Sequence, residues 1–250
     1  MRKIFTVLTV LLFAAACQQE KETDPVETII NKAVQRAGKK VLDNATISFN
    51  FRDKFYKAKR ENGNFALSRC SDNSCSDTLD VLSNTGFARS IKNKPVKLAD
   101  SMTEKYSNSV NSVHYFAVLP YGLDNPAVNK ELIDTVRIKG KSYYEVKVGF
   151  EKQGGGKDYE DHFMYWINTQ DFTVGYMAYN YQVNEGGTRF REVYNPREIN
   201  GVRVVDYRNY KPNEQYPPLQ SLDSLFINDK LELLSTIALK NVAVKACPNC

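Results

Sequence analysis

Glu160, Asp161 and His162 stand side by side near the middle of this 250-residue chain, two carboxylates and an imidazole of the kinds that move protons. The surrounding stretch, "YYEVKVGFEKQGGGKDYEDHFMYWIN", predicts two strands joined by a turn at Gly154-Gly155-Gly156. Neighbouring strand residues point to opposite faces, so Glu160 and Asp161 cannot work as an acid–base dyad. Lys157 follows the glycines but is itself followed by Asp158, and no glycine precedes at the spacing of a phosphate loop. A turn centred on Gly155 pairs Tyr144 with Trp166, Val146 with Met164 and Val148 with His162, a face that is apolar apart from the imidazole. Lys147 then lies diagonal to Asp161 on the other face. His162 reads as a packed histidine at a sheet rim, and His114, in a greasy segment, as the donor of a buried hydrogen bond. Neither has Cys, Asp or Glu at ligand spacing, so no metal site and no cofactor are expected. With no Gly-x-Ser-x-Gly elbow and no His-Glu-x-x-His, the chain reads as a non-enzyme.

A different chemistry is written at the front. Arg2 and Lys3 precede an apolar run from Ile4 to Phe13, then Ala14, Ala15, Ala16 and Cys17. The order is that of a secretory signal peptide, and the run is too short to span a bilayer. Cys17 directly after the alanines resembles the bacterial lipobox, in which the thiol is diacylated and begins the mature chain; Ala14 stands where leucine is usual. The expectation is a signal peptide at 1–16, lipidation at Cys17, a polar tether to residue 24, one domain at 25–245 and a cysteine-bearing tail at 246–250. The membrane partner is reached through the N-terminal lipid, and the location is the cell envelope, as an outer membrane lipoprotein on the periplasmic or the surface side. Glu20 and Glu22 fit either a surface-sorting signal or a solvated tether. For an exported chain, Cys70, Cys75, Cys247 and Cys250 are disulfide candidates.

Without Arg2 and Lys3 the formal charge falls from +5 to +3, from 32 basic and 29 acidic residues interspersed along the chain, which excludes nucleic acid as an expected partner. The densest polar stretch is "GGTRFREVYNPREINGVRVVDYRNY". Alternation puts Arg189 and Arg191 on one face with Val193, Phe190 and Glu192 on the other, and Arg203 with Tyr207. An anionic headgroup or carboxylate could dock between such arginines, or they could form cross-strand ladders with acids on a solvated face. Lys147, Asp161, Arg189 and Arg191 are the candidate polar site.

The elements that must position these groups follow from periodicity. "DPVETIINKAVQRAGKK" predicts an amphipathic helix with Asp24 as cap, Pro25 at its first position and Gly38 as stop. Period-two strands follow at Ile47–Phe51, Phe55–Arg60 and Phe65–Arg69, the last two joined at Asn62-Gly63. Further strands are expected at 78–82, 86–90, 132–138, 143–150, 162–168, 174–181, 189–194, 202–210 and 231–244, together one extended, twisted antiparallel sheet. Two helical pieces interrupt it. Val110–Leu119 is apolar nearly all round and must be buried on more than one side. "SLDSLFINDK" puts Leu222, Leu225 and Phe226 on one face, with Ser221 as cap.

With "NSVNSVHYFAVLPYGLDNPAVNKE", "IKGKSYYEVKV", "QGGGKDYEDHFMYWIN", "RFREVYNPREINGVRVVDYRNYKP" and "LDSLF" in view, the chain resembles a family of uncharacterised lipoproteins of the Bacteroidota defined by a domain of unknown function. That family is similar in architecture to LolA/LolB-type lipoprotein carriers, whose half-closed barrel wraps around helices and holds acyl chains. The resemblance implies an α+β, mainly antiparallel fold: a strongly curved half-barrel with an N-terminal amphipathic helix and inner apolar helices. The leading functional expectation is a non-catalytic envelope lipoprotein binding a lipid or other hydrophobic small molecule. Its cavity would be lined by Val113, Phe116, Val118, Leu119, Tyr144, Met164 and Trp166. The alternatives are an envelope scaffold or glycan- or protein-binding module, and a hydrolase using Asp161 or His162.

Overall fold

The computed structural model describes residues 24–151, 162–182 and 186–247. Cys17 and its tether, the glycine turn, Glu160, Asp161 and Cys250 lie outside the described residues. The chain opens with α1 (Pro25–Arg36), where the Asp24 side chain accepts from Val26 N at 3.0 Å and Pro25 fills the first helical position. Ile29, Ile30, Ala33 and Val34 form its buried stripe. Gly38 takes φ +100, and a Cβ there would run into the Gly201 carbonyl oxygen, so only glycine lets α1 close against that turn. Arg203 N donates to Ala37 O at 3.1 Å and fixes the junction. A single turn, α2 (Lys39–Leu42), follows.

Six strands come next: β1 (Ala45–Phe51), β2 (Lys54–Glu61), β3 (Asn64–Cys70), β4 (Thr78–Ser83), β5 (Gly86–Ile91) and β6 (Lys94–Val96). Asn62 and Gly63 both have positive φ, the geometry that a two-residue hairpin turn demands. α3 (Asp100–Ala117) separates these strands from β7 (Val128–Ile138), β8 (Lys141–Phe150), β9 (Phe163–Asn168), β10 (Val174–Tyr181), β11 (Gly187–Ile199) and β12 (Val202–Pro212). A 3-10 turn (Leu219–Ser221), α4 (Leu222–Ile227), β13 (Leu231–Ile237) and β14 (Lys240–Ala246) complete the chain. Every pairing is antiparallel.

The expected single sheet is two sheets of seven strands, ordered β14-β1-β2-β3-β4-β5-β6 and β13-β12-β11-β10-β9-β8-β7. The run expected at 231–244 breaks at Ala238-Leu239, sending β13 to pair with β12 and β14 with β1. The break has a cause: the Asp206 carboxylate accepts from Leu239 N at 2.9 Å, taking that amide out of a strand ladder. Beneath the sheets one apolar cluster joins α1, α3 and the facing sides of both sheets. A second, smaller cluster covers the opposite side of the β7–β13 sheet, beneath α4. The architecture is therefore mainly antiparallel α+β, with two facing sheets that are not closed into a barrel.

α3 begins ten residues before the expected Val110, because its polar first half (Asp100–Ser109) lies over the β4–β5 side instead of entering the core. α4 is not an inner helix. Leu222 and Phe226 bury themselves against the outer side of the β7–β13 sheet. Ser221 does not cap α4; its hydroxyl donates to Pro218 O at 2.7 Å. Cys70 and Cys75 are disulfide-bonded, closing the loop between β3 and β4, and Cys247 is disulfide-bonded as well. Loop-closure entropy puts the cost of Cys70→Ser with Cys75→Ser at about 2 kcal/mol, measurable as a lower midpoint in denaturant.

Candidate ligand cavity

The inner face of the β1–β6 sheet is a set of cross-strand rows. One runs Phe49, Tyr56, Arg69, Asp80, Arg89, Val96; the next runs Ile47, Ala58, Leu67, Leu82, Phe87; the third runs Ala45, Arg60, Phe65. In the first row Asp80 is buried between two guanidiniums: Arg69 Nη2 at 2.6 Å and Arg89 Nε at 2.6 Å. The paired arginines hold its carboxyl below the usual range against the penalty of burial, which alone would raise it. α3 is tied onto this row by Arg69 Nη1 donating to Ser109 Oγ at 2.6 Å and by Arg89 lying over the Tyr106 ring at 3.5 Å. His114 donates from Nε2 to Ser68 O at 3.0 Å, and burial lowers its pKa to about 4, so it is a neutral part of the core.

The inner face of the other sheet carries Val146, Val148, Phe163, Tyr165, Met177, Tyr179, Arg191, Val193 and Tyr207 (with Arg189 toward its end), facing α1 and α3. Its hydroxyls are used to grip α3. Tyr207 donates to Phe116 O at 3.0 Å, and the Tyr115 and Tyr165 hydroxyls share a hydrogen bond at 2.8 Å. Burial raises the Tyr207 phenol to about 12, so it stays a donor across the physiological range. Arg191 projects into this layer. It donates to Tyr179 Oη at 2.9 Å, stacks over Phe116 at 5.2 Å and keeps a buried Nε without a partner.

A pocket opens at the β2–β3 end of the first sheet, and none of its lining residues belongs to the β7–β13 sheet. The Asn62-Gly63 turn, the Asp43-Asn44 corner after α2 and the segment after α3 surround its volume of about 490 Å³. Arg60, Tyr121 and Asn111 form its polar side, Phe65 and Leu67 its apolar side. Asp43, also at the rim, accepts from Tyr121 Oη at 2.9 Å and from Lys39 Nζ at 3.2 Å. The volume is in the range of small-molecule sites, and the wall runs from charged mouth to apolar core.

The sequence-predicted residues divide. Val113, Phe116, Val118 and Leu119 are buried where α3 meets both sheets, and Tyr144 lies against the same core, stacked on Phe172. Met164 and Trp166 do not join them. The observed register pairs Tyr144 with Ile167, Glu145 with Trp166, Val146 with Tyr165 and Lys147 with Met164, one residue away from a turn centred on Gly155. A one-residue slip moves a whole strand's side chains to the other face. Met164 and Trp166 therefore belong to the cluster under α4. The same slip separates Lys147, which shares the outer face and lies 3.6 Å from Glu131, from the inward Arg189 and Arg191. Of the four candidate polar residues, Lys147 is not brought together with Arg189 and Arg191, and Asp161 lies outside the described residues. The acid ladders form elsewhere: Glu192 with Lys139 and Arg208, and Asp206 with Arg197. Arg189 instead donates to Thr188 O and stacks on Tyr181. His162 is exposed beside Lys147 and Phe150.

Sequence reasoning missed Arg60, which reads as one more solvated strand cation. Its only signal was period two, since it alternates with the buried Ala58 and Tyr56. Among the described residues no group of three or more His, Cys, Asp or Glu is placed to hold a metal ion, and no helix is long and apolar enough to cross a membrane.

Two solved structures share this architecture. A DUF1329 family protein from Desulfovibrio piger is 13% identical, with 91% of this chain and 95% of that chain covered, at a TM-score of 0.51. A LolA superfamily protein from Nitrosomonas europaea is 12% identical, covering 90% and 95%, at 0.50. At such identities the likeness is one of fold. No curated protein matches the sequence. A family model described as a family of unknown function (DUF6503) matches residues 2–239, and the chain belongs to that family.

Proposed function

We propose that this protein is a lipid-anchored lipoprotein of the cell envelope, attached through Cys17 to the outer membrane, that binds a hydrophobic or amphiphilic small molecule and catalyses nothing. The observation that carries the reading is the pocket of about 490 Å³ whose wall passes from Arg60 and Tyr121 to Phe65 and Leu67 at the edge of the inter-sheet core. Val113, Phe116, Val118, Leu119 and Tyr144 line none of this pocket; they are packed in the apolar cluster that Leu67 also joins. The LolA-like fold supports the reading, because two sheets left open at their borders give a ligand access beside α3 without breaking a strand ladder.

Native mass spectrometry of the purified protein tests it. The expected result is a co-purifying lipid-sized adduct and uptake of a fluorescent fatty acid, reduced at least tenfold by Leu67→Trp, which fills the pocket. No adduct and no uptake would overturn the reading. The anchor is tested separately: Cys17→Ala should move the protein from the membrane fraction to the soluble fraction. A protein- or glycan-binding scaffold is the second reading. It is favoured by Leu233 and Leu234, which stay 51% and 39% exposed on edge strand β13.

A further inference from the structure

We infer that the Arg60 pocket takes an anionic oxygen head, a carboxylate or a phosphate, so that the ligand class is an anionic amphiphile; this rests on the hydrophobic-ligand reading above. Arg60 sits in the row Ala45, Arg60, Phe65 on the inner face, and its Nη1 is buried with no hydrogen-bond partner. No ion pair among the described residues involves it. Arginines largely withdrawn from solvent are ordinarily partnered: Arg69, Arg89 and Arg197 pair with carboxylates, and Arg191 donates to the Tyr179 hydroxyl. Arg60 is held over the Tyr121 ring at 5.1 Å, which fixes the guanidinium plane while leaving its donors uncommitted.

The one carboxylate lining the pocket is already engaged. Asp43 accepts from Tyr121 Oη and Lys39 Nζ, and Lys39 is shared with Asp124 at 3.3 Å. Burial lowers the pKa of Arg60, and the neighbouring Asp43 carboxylate only partly offsets it. A bidentate oxyanion supplies what is missing: two acceptors in the plane of the fork. The amides of Asn44, Asn64 and Asn111 line the same pocket as further donors, while Phe65 and Leu67 lie where the tail of such a ligand would begin.

Calorimetric titration with three probes tests this: oleate, oleyl alcohol and inorganic phosphate. Oleate is expected to bind at least tenfold more tightly than oleyl alcohol, which has the same tail and no charge. Arg60→Gln should bring the two to parity by weakening oleate alone. Arg60→Lys should retain part of the preference, and exposed Lys57→Gln should leave it unchanged. Equal binding of oleate and oleyl alcohol to the unaltered protein, a comparison that needs no variant to fold, would overturn the anion assignment and leave the carrier reading standing. Arg60-dependent binding of phosphate with neither amphiphile bound would keep the anion site and sink the carrier. Binding of none of the three would overturn both.

Discussion

Glutamine in place of Glu145 should make the protein more stable at pH 8, by about 3 kcal/mol. Glu145 is only 4% exposed, and its Oε1 has no partner. Across the strands it faces Trp166 on one side, whose Nε1 is also unpartnered, and Asp134 on the other; Asp223 approaches from α4. Burial first, then the Asp223 and Asp134 charges, lift its pKa from 4.5 to about 7. The sign follows from linkage. Below pH 4.5 folded and unfolded chains both hold the proton. Between 4.5 and 7 only the folded chain does, so stability falls as pH rises, and above 7 the loss is complete. Asp223, also raised by burial, adds in the same direction. Asp80, Asp206 and Glu192 have lowered pKa values, and the stability they contribute is lost only as pH falls through the acid range. The two windows are separate, so urea midpoints between pH 5 and 8 read Glu145 with its neighbour Asp223, free of the acid-range carboxylates. A fall in the unaltered protein and a shallower one in Glu145→Gln, with Asp223 left to act alone, are expected; parallel profiles would remove the argument.

The second large effect is at Asp206, where alanine should cost about 3–5 kcal/mol. The carboxylate is 3% exposed and accepts four hydrogen bonds: from Arg197 Nη1 at 2.8 Å, Arg197 Nη2 at 2.9 Å, Asn195 Nδ2 at 2.7 Å and Leu239 N at 2.9 Å. Those donors come from β11 and from the point where the chain leaves one sheet for the other. Truncation strands a guanidinium and a buried amide together, a worse outcome than replacing both partners. The loss should be local as well as global, with hydrogen exchange accelerated at Leu239 and along β14 before the rest of the sheet. An Asp206→Ala protein with unchanged midpoint and unchanged exchange at Leu239 would show that the junction is held by apolar contacts alone.

Local elements were legible because local rules wrote them. The cap at Asp24, the Asn62-Gly63 turn and the alternation of Arg189, Arg191 and Val193 each depend on a few neighbouring residues. The split into two sheets was not, because it depends on Asp206 reaching Leu239, 33 residues away. The strand pairing around the glycine turn failed for a related reason: a turn's register is set by its geometry, and one residue of error inverts the face. That inversion turns Trp166 away from the inter-sheet core and under α4. Arg60 was illegible because a charge on a strand reads as solvated until the element above it is known, and here that element is the end of α3 with Tyr121.

The position of α3 in the chain has a mechanical meaning. The two sheets join through β13 and β14 at one border, while their far borders, β6 and β7, are linked in sequence only through α3. α3 is thus the covalent crossing between the two free borders, and it grips both sheets on the way. An α-helical residue advances 1.5 Å and an extended one about 3.3 Å, so unwinding the one and a half polar turns before Tyr106 (100–105) would lengthen the crossing by roughly 11 Å. The buried stretch from Val110 onward would keep its grip meanwhile, because the polar half of the helix holds least of the core.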